Sequence, residues 1–202
     1  MLKDHWEDIY QERRDDEVSW FQVHPSYSLD LISRSQVAHH EPIIDVGAGA
    51  SRLVDHLTHS GYQDLTLLDL SSKALDRTRK RLGERPSNFT FINSDILTAD
   101  LPKTYALWHD RAVFHFLTEP EERLAYRRRL SNHLRDDGFC VIATFDENGP
   151  LRCSGLPVVR YSIEELEELF SDEFQLLTSL RDDHKTPAGR TQSFVFALFQ
   201  KI

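Results

Sequence analysis

Short apolar runs alternate along this chain with segments in which apolar residues recur at helical spacing. Apolar runs that stop at glycine, proline or acidic residues are typical of buried strands. The pattern predicts strands at residues 43–46, 65–69, 89–92, 105–108, 139–145, 174–180 and 193–199.

Helix signals separate most of these runs. A helical pattern begins near Ser51, and Gly83 ends a second one that covers residues 73–82. Pro120 is typical of the first turn of a helix, and a capping box at residues 162–165 opens another. Strands and helices therefore alternate through most of the chain.

This alternation predicts a doubly wound α/β fold with a seven-stranded, mostly parallel sheet and helices on both faces. Parallel neighbours need a crossover connection, which the helices supply. The last two predicted strands follow each other without a helix, so we expect them to form an antiparallel hairpin at the sheet edge, with an antiparallel last strand. With 202 residues, 40% of them hydrophobic, the chain can bury a full core, and we predict one domain over residues 1–202.

A glycine-rich turn follows the first predicted strand. Gly47, Ala48 and Gly49 interrupt the apolar run before the first helical pattern begins. Glycines allow a ligand to lie against the backbone, close to the amides at the positive end of a helix dipole. This stretch therefore predicts a ligand-binding turn.

Acidic residues stand at the ends of the successive strands. Asp45 precedes the glycine turn, Asp69 ends the second strand, Asp95 follows the third, and His109 with Asp110 follows the fourth. Ligands of open α/β sheets bind beyond the carboxyl ends of the strands. Aspartates are also common turn caps, and that interpretation is the alternative for the first three.

The positions of these acids favour a ligand with adenosine at one end and an amino acid at the other. Asp69 lies where nucleotide-binding folds place the carboxylate that holds two ribose hydroxyls. Asp95 suits the exocyclic amine of adenine, with Ile96 or Leu70 against the ring. The turn lacks the third glycine of a dinucleotide fingerprint, and Asp45 suits an ammonium group better than a pyrophosphate. The ligand that combines these ends is S-adenosylmethionine.

Four segments resemble the successive motifs of class I S-adenosylmethionine-dependent methyltransferases: IIDVGAGASRL, LTLLDLS, FINSDI and ALWHDRAVFHFL. The resemblance implies the strand order 3-2-1-4-5-7-6 and S-adenosylmethionine as cofactor. It also implies that Asp45 organises the methionine end, that residues 47–49 line it, and that Asp69 and Asp95-Ile96 hold ribose and adenine. The departure is Ala50-Ser51, where many members have a further glycine.

Residues 1–40 precede the first strand and are expected to form a helical cap or lid over a Rossmann-like core at residues 41–202. Charged and apolar residues alternate too irregularly to predict a helix over residues 3–17, and Pro25 is typical of a helix start further along. The segment HWEDIYQERRDDEVSWFQ resembles the lead-in of some enzymes that methylate protein lysines or small thiols. That resemblance implies that Trp20 closes over the cofactor; the alternative is that it caps the edge of the core.

Candidate groups for catalysis and acceptor binding follow the fourth strand and occupy two later loops. A base is needed only if the acceptor arrives protonated, and His109 and Asp110 are the best-placed candidates. Four further residues are candidates for the substrate site: Arg111, His115, Cys153 and His184. His115 has the alternative of a packed core histidine. If Cys153 and His184 met, a thiol or soft-metal substrate would be favoured.

Composition limits the partners and the location. The net charge of −9 and a pI near 5.5 argue against a general nucleic-acid or anionic-membrane binder. No apolar run is long enough to span a membrane, the N-terminal segment is too polar for a secretion signal, and only Cys140 and Cys153 are present. We expect a cytoplasmic protein, a monomer or weak dimer, that binds no metal and acts on a small molecule or a protein.

Three functional interpretations remain open. The first is a methyltransferase that acts on a nucleophilic nitrogen, oxygen or sulfur. The second is a protein that binds S-adenosylmethionine without catalysis. The third is a nicotinamide-dependent oxidoreductase, which the missing third glycine and Asp45 disfavour.

Overall fold

The computed structural model describes residues 2–83 and 89–202. Its strands are β1 (Pro42–Val46), β2 (Asp64–Asp69), β3 (Phe89–Asn93), β4 (Tyr105–Arg111), β5 (Leu134–Phe145), β6 (Arg152–Cys153), β7 (Leu156–Pro157), β8 (Phe174–Lys185) and β9 (Thr191–Lys201). All except β6 and β7 form one seven-stranded sheet in the order β3-β2-β1-β4-β5-β9-β8. The five strands β1 to β5 pair in parallel, whereas β9 is antiparallel to both β5 and β8. This arrangement confirms the predicted doubly wound fold and its antiparallel last strand, with β8 and β9 as the predicted sixth and seventh strands.

Helices lie on both faces of the sheet. They are α1 (Leu2–Glu12), α2 (Ser26–Arg34), α3 (Leu53–His59), α4 (Ser72–Leu82), α5 (Pro120–His133) and α6 (Ile163–Phe170). The predicted capping box is present, because Ser162 Oγ accepts from the amide of Glu165 at 3.1 Å. In the described part of the chain, no helix combines the length and the apolar character that crossing a bilayer requires.

The core has two layers, one on each face of the sheet. Side chains alternate across a strand, so adjacent residues of β4 enter different layers: Leu107 packs with α2, α3 and α4, and Trp108 packs with α5 and α6. Both side chains are fully buried. Because β4 is buried on both faces, its C-terminal end is the only part that can reach a ligand.

Several element boundaries differ from the sequence prediction. Residues 2–12 form a helix that the irregular pattern did not predict, because its aromatic face is matched to partners distant in sequence: Trp6 packs edge-to-face on Trp20 and Phe116, at 5.6 and 5.3 Å between ring centroids. Strand β4 extends through Arg111, and the β8–β9 hairpin is longer at its turn than predicted. The loop after β5 contains the short hairpin of β6 and β7.

Candidate functional site

Two adjoining cavities open at the carboxyl ends of β1, β2 and β4. The smaller, of about 580 Å³, is lined by Asp45 and Ala48, and the larger, of about 970 Å³, is lined by residues that follow β2 and β3. The two linings share four residues: Tyr10, Trp20, Gly47 and Arg111. The volumes include space that is open to solvent. A ligand can therefore extend from one cavity into the other past Gly47.

The glycine turn is needed for its backbone conformation and for the space it leaves. Gly47 has φ +69° and Gly49 has φ +50°, in the left-handed region that favours glycine. A Cβ at Gly47 would collide with Val113, and one at Gly49 would collide with the Tyr10 hydroxyl. Gly49 lines neither cavity, in contrast to the prediction that it contacts the cofactor, and its amide donates to Asp69 Oδ2 at 2.9 Å.

Asp45 is held by a buried histidine. His109 Nδ1 lies 2.7 Å from Asp45 Oδ1, and His109 Nε2 lies 2.9 Å from Ser28 Oγ. With Nδ1 protonated, the ring donates to the carboxylate and accepts from the hydroxyl. Among the described residues, Asp45 has no second hydrogen-bond partner, which leaves Oδ2 for a ligand at the wall of the smaller cavity.

Asp69 joins the glycine turn to the start of α4. Its Oδ2 accepts from the Gly49 amide, and its Oδ1 accepts from the Ser71 amide at 2.7 Å. Burial raises the pKa of Asp69 to about 7, and the carboxylates of Asp45 and Glu7 act in the same direction, while the two amide bonds oppose them. Each carboxylate oxygen has capacity for a second donor, so ribose hydroxyls can be added without losing the amides.

The residues predicted to hold adenine lie together in the larger cavity. Leu70, Asp95 and Ile96 all line it, and Ile96 is buried. Asp95 Oδ1 accepts from the Leu97 amide at 2.9 Å, which fixes the turn after β3. These groups offer a carboxylate and an apolar surface beside Asp69.

Trp20 lies where a lid was predicted. It lines both cavities, and its indole packs edge-to-face against Tyr10 with 6.2 Å between ring centroids. Arg111 Nη1 donates to the Trp20 carbonyl at 3.0 Å, and His184 Nε2 donates to the Ser19 carbonyl at 2.7 Å. The cap is therefore tied to β4 and β8 through its backbone.

Asp110 points away from the cavities, into the opposite layer of the core. It is fully buried, accepts from the Tyr126 hydroxyl at 2.6 Å, and accepts from the amides of Val113 and Phe114. Burial raises the pKa of Asp110 to about 6. The sequence prediction of Asp110 as a catalytic base conflicts with this placement, because alternation along β4 directs Asp110 opposite to His109 and Arg111. The geometry assigns it to shaping the turn that carries Val113 into the larger cavity.

The remaining substrate candidates do not form one cluster. His115 is packed against Phe145, its Nδ1 accepts from the Phe145 amide, and burial lowers its pKa to about 3, which matches the alternative of a packed histidine. Cys153 lines the larger cavity, and burial raises its pKa to about 12. His184 lines neither cavity, and within the described residues no hydrogen bond joins it to Cys153. A paired cysteine and histidine site is therefore not assembled.

The known proteins that this chain resembles are methyltransferases. The sequence model of the methyltransferase-domain family matches residues 43–138. An eEF1A lysine and N-terminal methyltransferase from Mus musculus is 24% identical over 126 residues, which are 62% of this chain and 18% of that protein. A malonyl-[acyl-carrier protein] O-methyltransferase from Anoxybacillus flavithermus is 30% identical over 109 residues, which are 53% of this chain and 40% of that protein. The solved structure of a SAM-dependent methyltransferase from Anabaena variabilis has a TM-score of 0.76 at 18% identity and covers 100% of this chain and 96% of that chain.

Residues 43–138, just under half of the chain, match the methyltransferase-domain family, and the relatives and solved structures support the class I S-adenosylmethionine-dependent methyltransferase superfamily. These matches confirm the resemblance stated from the sequence and indicate S-adenosylmethionine as the cofactor. The named relatives include no nicotinamide-dependent oxidoreductase, so that alternative gains no support. The chain spans less than half the length of the two curated relatives, at 18% and 40%.

In this methyltransferase, sequence reasoning missed the contribution of α1. Glu7 accepts four hydrogen bonds at the start of α4, from Ser71 Oγ, from the amide and hydroxyl of Ser72, and from the Lys73 amide. Its partners lie far away in sequence, so no local pattern indicates the contact. A weak signal existed for Trp6 and Tyr10, which stand four positions apart and therefore share one helix face.

Proposed function

We propose that this domain binds S-adenosylmethionine across both cavities and transfers its methyl group to a small acceptor in the larger one. The observation that supports it is the division of the predicted ligands between two adjoining cavities: Asp45 faces the smaller, and Asp69 and Asp95 face the larger. An elongated cofactor with an amino acid at one end and adenosine at the other fits that division.

Each end of the cofactor has a chemically matched group. The α-ammonium pairs with Asp45 Oδ2, the ribose diol bonds to Asp69, and adenine lies between Asp95 and the apolar side chains of Leu70 and Ile96. Residues 47 and 48 line the methionine part. Trp20, which borders both cavities, covers the junction where the sulfonium would lie.

The chain supplies alignment and exclusion of water for the methyl transfer. The bond from sulfur to the methyl carbon breaks as the acceptor's lone pair forms the new bond, and S-adenosylhomocysteine leaves as a neutral thioether. His109 is bonded on both ring nitrogens, so we assign it to positioning Asp45 rather than to removing a proton. This arrangement favours an acceptor that is already nucleophilic at neutral pH.

A small molecule is the acceptor class that the covered site favours. Residues of the N-terminal segment line both cavities, and Tyr10 and Trp20 are common to the two linings. Of the two curated relatives named, one is a malonyl-[acyl-carrier protein] O-methyltransferase and the other an eEF1A lysine and N-terminal methyltransferase. We propose the same two broad classes here, with the small molecule preferred, and a cytosolic monomer or weak dimer with no nucleic-acid partner.

Calorimetry followed by a turnover assay tests this function. We expect heat of binding with S-adenosylmethionine and S-adenosylhomocysteine, and none with NAD or NADP. Incubation with methyl-labelled cofactor and a cell extract, separated into protein and small molecules, is expected to place the label in small molecules. Binding without label transfer to any fraction would favour the noncatalytic alternative, and binding only of NAD would contradict the proposal.

A further inference from the structure

Arg111 is a partly buried residue whose guanidinium has unused hydrogen-bonding capacity. Nη1 donates to the Trp20 carbonyl, but Nε and Nη2 are inaccessible to solvent and have no hydrogen-bond partner among the described residues. A buried donor without a partner is costly, and a buried charge is more so. Such a group is expected to acquire a partner when the site is loaded.

The guanidinium is directed toward β9. Its central carbon lies 4.8 Å from the centroid of the Phe194 ring on β9. In the sheet, β9 lies beyond β5 as seen from β4, whereas Asp45 stands on β1 at the other side of β4. The side chain therefore extends away from the strand that holds the methionine end of the cofactor.

Arg111 remains charged in this environment. Burial lowers its pKa to about 10, and the carboxylates of Asp182 and Asp45, together with Cys153, act in the opposite direction. Among the charged groups that affect it from neighbouring elements, Asp182 lies on β8 and is partly buried, and it does not pair with the two free nitrogens. At neutral pH the guanidinium is thus a cation with two N–H groups, on Nε and Nη2, that have no hydrogen-bond partner among the described residues.

The surroundings of Arg111 in the larger cavity are mainly apolar and aromatic. Trp6, Trp20, Val113 and Phe116 line the same cavity. A buried guanidinium with a planar pair of free donors matches a carboxylate, which accepts two parallel hydrogen bonds. The aromatic wall matches an apolar body attached to that carboxylate.

We propose that Arg111 binds the carboxylate of the methyl acceptor, and that the substrate of this domain is a small apolar carboxylic acid. The inference rests on the proposed function above, because it assigns the acceptor that shares the site with the cofactor. Arg111 Nε and Nη2 donate to the two carboxylate oxygens, and the apolar part of the acid packs against Trp20 and Phe116.

The test compares acids with their neutral amides on protein saturated with S-adenosylhomocysteine. Benzoate and acetate are titrated against benzamide and acetamide, and affinity is measured by calorimetry and by the ¹⁵N signals of labelled arginine side chains. We expect at least one acid to bind about tenfold or more tightly than its amide. Arg111→Met is expected to abolish this preference. Arg111→Lys is expected to retain part of it, because lysine keeps the positive charge but cannot donate two parallel hydrogen bonds from a planar group.

Arg181→Met is the matched control. Arg181 is half-exposed on β8, pairs with Asp146 and Glu147, and lines neither cavity, so its loss is expected to leave the acid preference unchanged. Thermal unfolding of each variant verifies that it is folded, and Arg111→Lys serves as the readout if Arg111→Met does not fold.

Two outcomes would overturn the inference. One is equal binding of acids and amides by the wild-type protein. The other is an Arg111→Lys or Arg111→Met variant that loses S-adenosylhomocysteine affinity while keeping the acid preference, which would place the guanidinium on the cofactor's own carboxylate. If the wild-type protein binds no S-adenosylhomocysteine at all, the proposed function fails; if it binds S-adenosylhomocysteine but shows no acid preference, only this inference fails.

Discussion

His109 donates from Nδ1 to Asp45 at 2.7 Å and receives the Ser28 hydroxyl on Nε2 at 2.9 Å. This pair joins neighbouring strands, because Asp45 on β1 and His109 on β4 are directly opposite in the register. The histidine therefore fixes the orientation of the carboxylate that faces the smaller cavity.

Replacing His109 by Ala is expected to weaken S-adenosylhomocysteine binding by about tenfold, since a hydrogen bond to a charged group contributes about 1.5–3 kcal/mol. The pH dependence of turnover is expected to keep its shape. Calorimetry and a pH profile measure the two effects, with the exposed His59→Ala as the control. Loss of a limb of the pH profile with unchanged cofactor affinity would instead identify His109 as a base.

The raised pKa of Asp69 predicts that cofactor affinity depends on pH. Its pKa is raised to about 7 in the folded protein without ligand, so between the unfolded value of 3.8 and 7 the folded state holds the extra proton. Its contribution to stability of the unliganded protein therefore falls as pH rises through that window. Ribose hydroxyls donate best to the ionised form, so S-adenosylhomocysteine affinity should increase from pH about 6 to about 8.

Calorimetry at several pH values in buffers of different ionisation enthalpy measures that increase and the accompanying proton release. Asp69→Asn is expected to bind more weakly and to lose the pH dependence. A wild-type affinity that is flat across this range would contradict the assignment of Asp69 to the ribose.

The hydrogen bonds of Glu7 predict that its carboxylate helps to fasten α1 to the start of α4. Burial acts to raise its pKa, but hydrogen bonds from Ser72, Ser71 and Lys73 outweigh it and lower the pKa to about 2. This contribution is present above the unfolded value of 4.5 and is lost as pH falls toward 2. Glu7→Gln is expected to speed amide hydrogen exchange in residues 2–12 by about tenfold at neutral pH.

Glu12 in the same helix supplies the control, because its side chain is exposed and has no such hydrogen bonds among the described residues. Glu12→Gln is expected to leave exchange unchanged. Equal exchange in the Glu7 variant and the wild-type protein would mean that the other contacts of α1, such as the aromatic contacts of Trp6, hold the cap without Glu7.

Comparing alanine substitutions at Gly47 and Gly189 distinguishes the effect of a left-handed backbone from the effect of limited space. Gly47→Ala combines strain at φ +69° with a collision against Val113, whereas Gly189→Ala adds strain at φ +75° with no atom within 4 Å. Both variants should lose about 1–2 kcal/mol of stability from backbone strain. Only Gly47→Ala is expected to lose cofactor binding, by about a hundredfold or more. Similar cofactor affinities in the two variants would show that close approach at Gly47 is not required.

The sequence predicted those site residues that stand at the ends of successive parallel strands. Asp45, Asp69 and Asp95 each follow or end a strand, and parallel strands bring their carboxyl ends to one edge, so the cavity walls were predictable. Strand alternation also bears on His109 and Asp110, which point to opposite faces, but the sequence does not indicate which face carries the ligand. The catalytic prediction therefore combined one residue beside the cavity with one in the core.

The cap was less predictable because its contacts are distant in sequence. In the pattern of polar and apolar residues, Glu7 looks like an ordinary surface residue. Only folding brings it to the start of α4. His184 and Cys153 were grouped because both lie in polar loops, yet β8 directs His184 to the backbone of Ser19. Loop composition indicates accessibility and does not specify direction.

The central claim is that the methionine end of the cofactor lies at Asp45 and the adenosine end at Asp69 and Asp95. The most direct measurement is calorimetric binding of S-adenosylhomocysteine and of adenosine to wild-type protein and to Asp45→Asn. We expect the variant to lose about tenfold or more of its S-adenosylhomocysteine affinity while binding adenosine as the wild type does, because adenosine has no ammonium group. Equal losses for both ligands, or a wild-type protein that binds neither, would contradict the account.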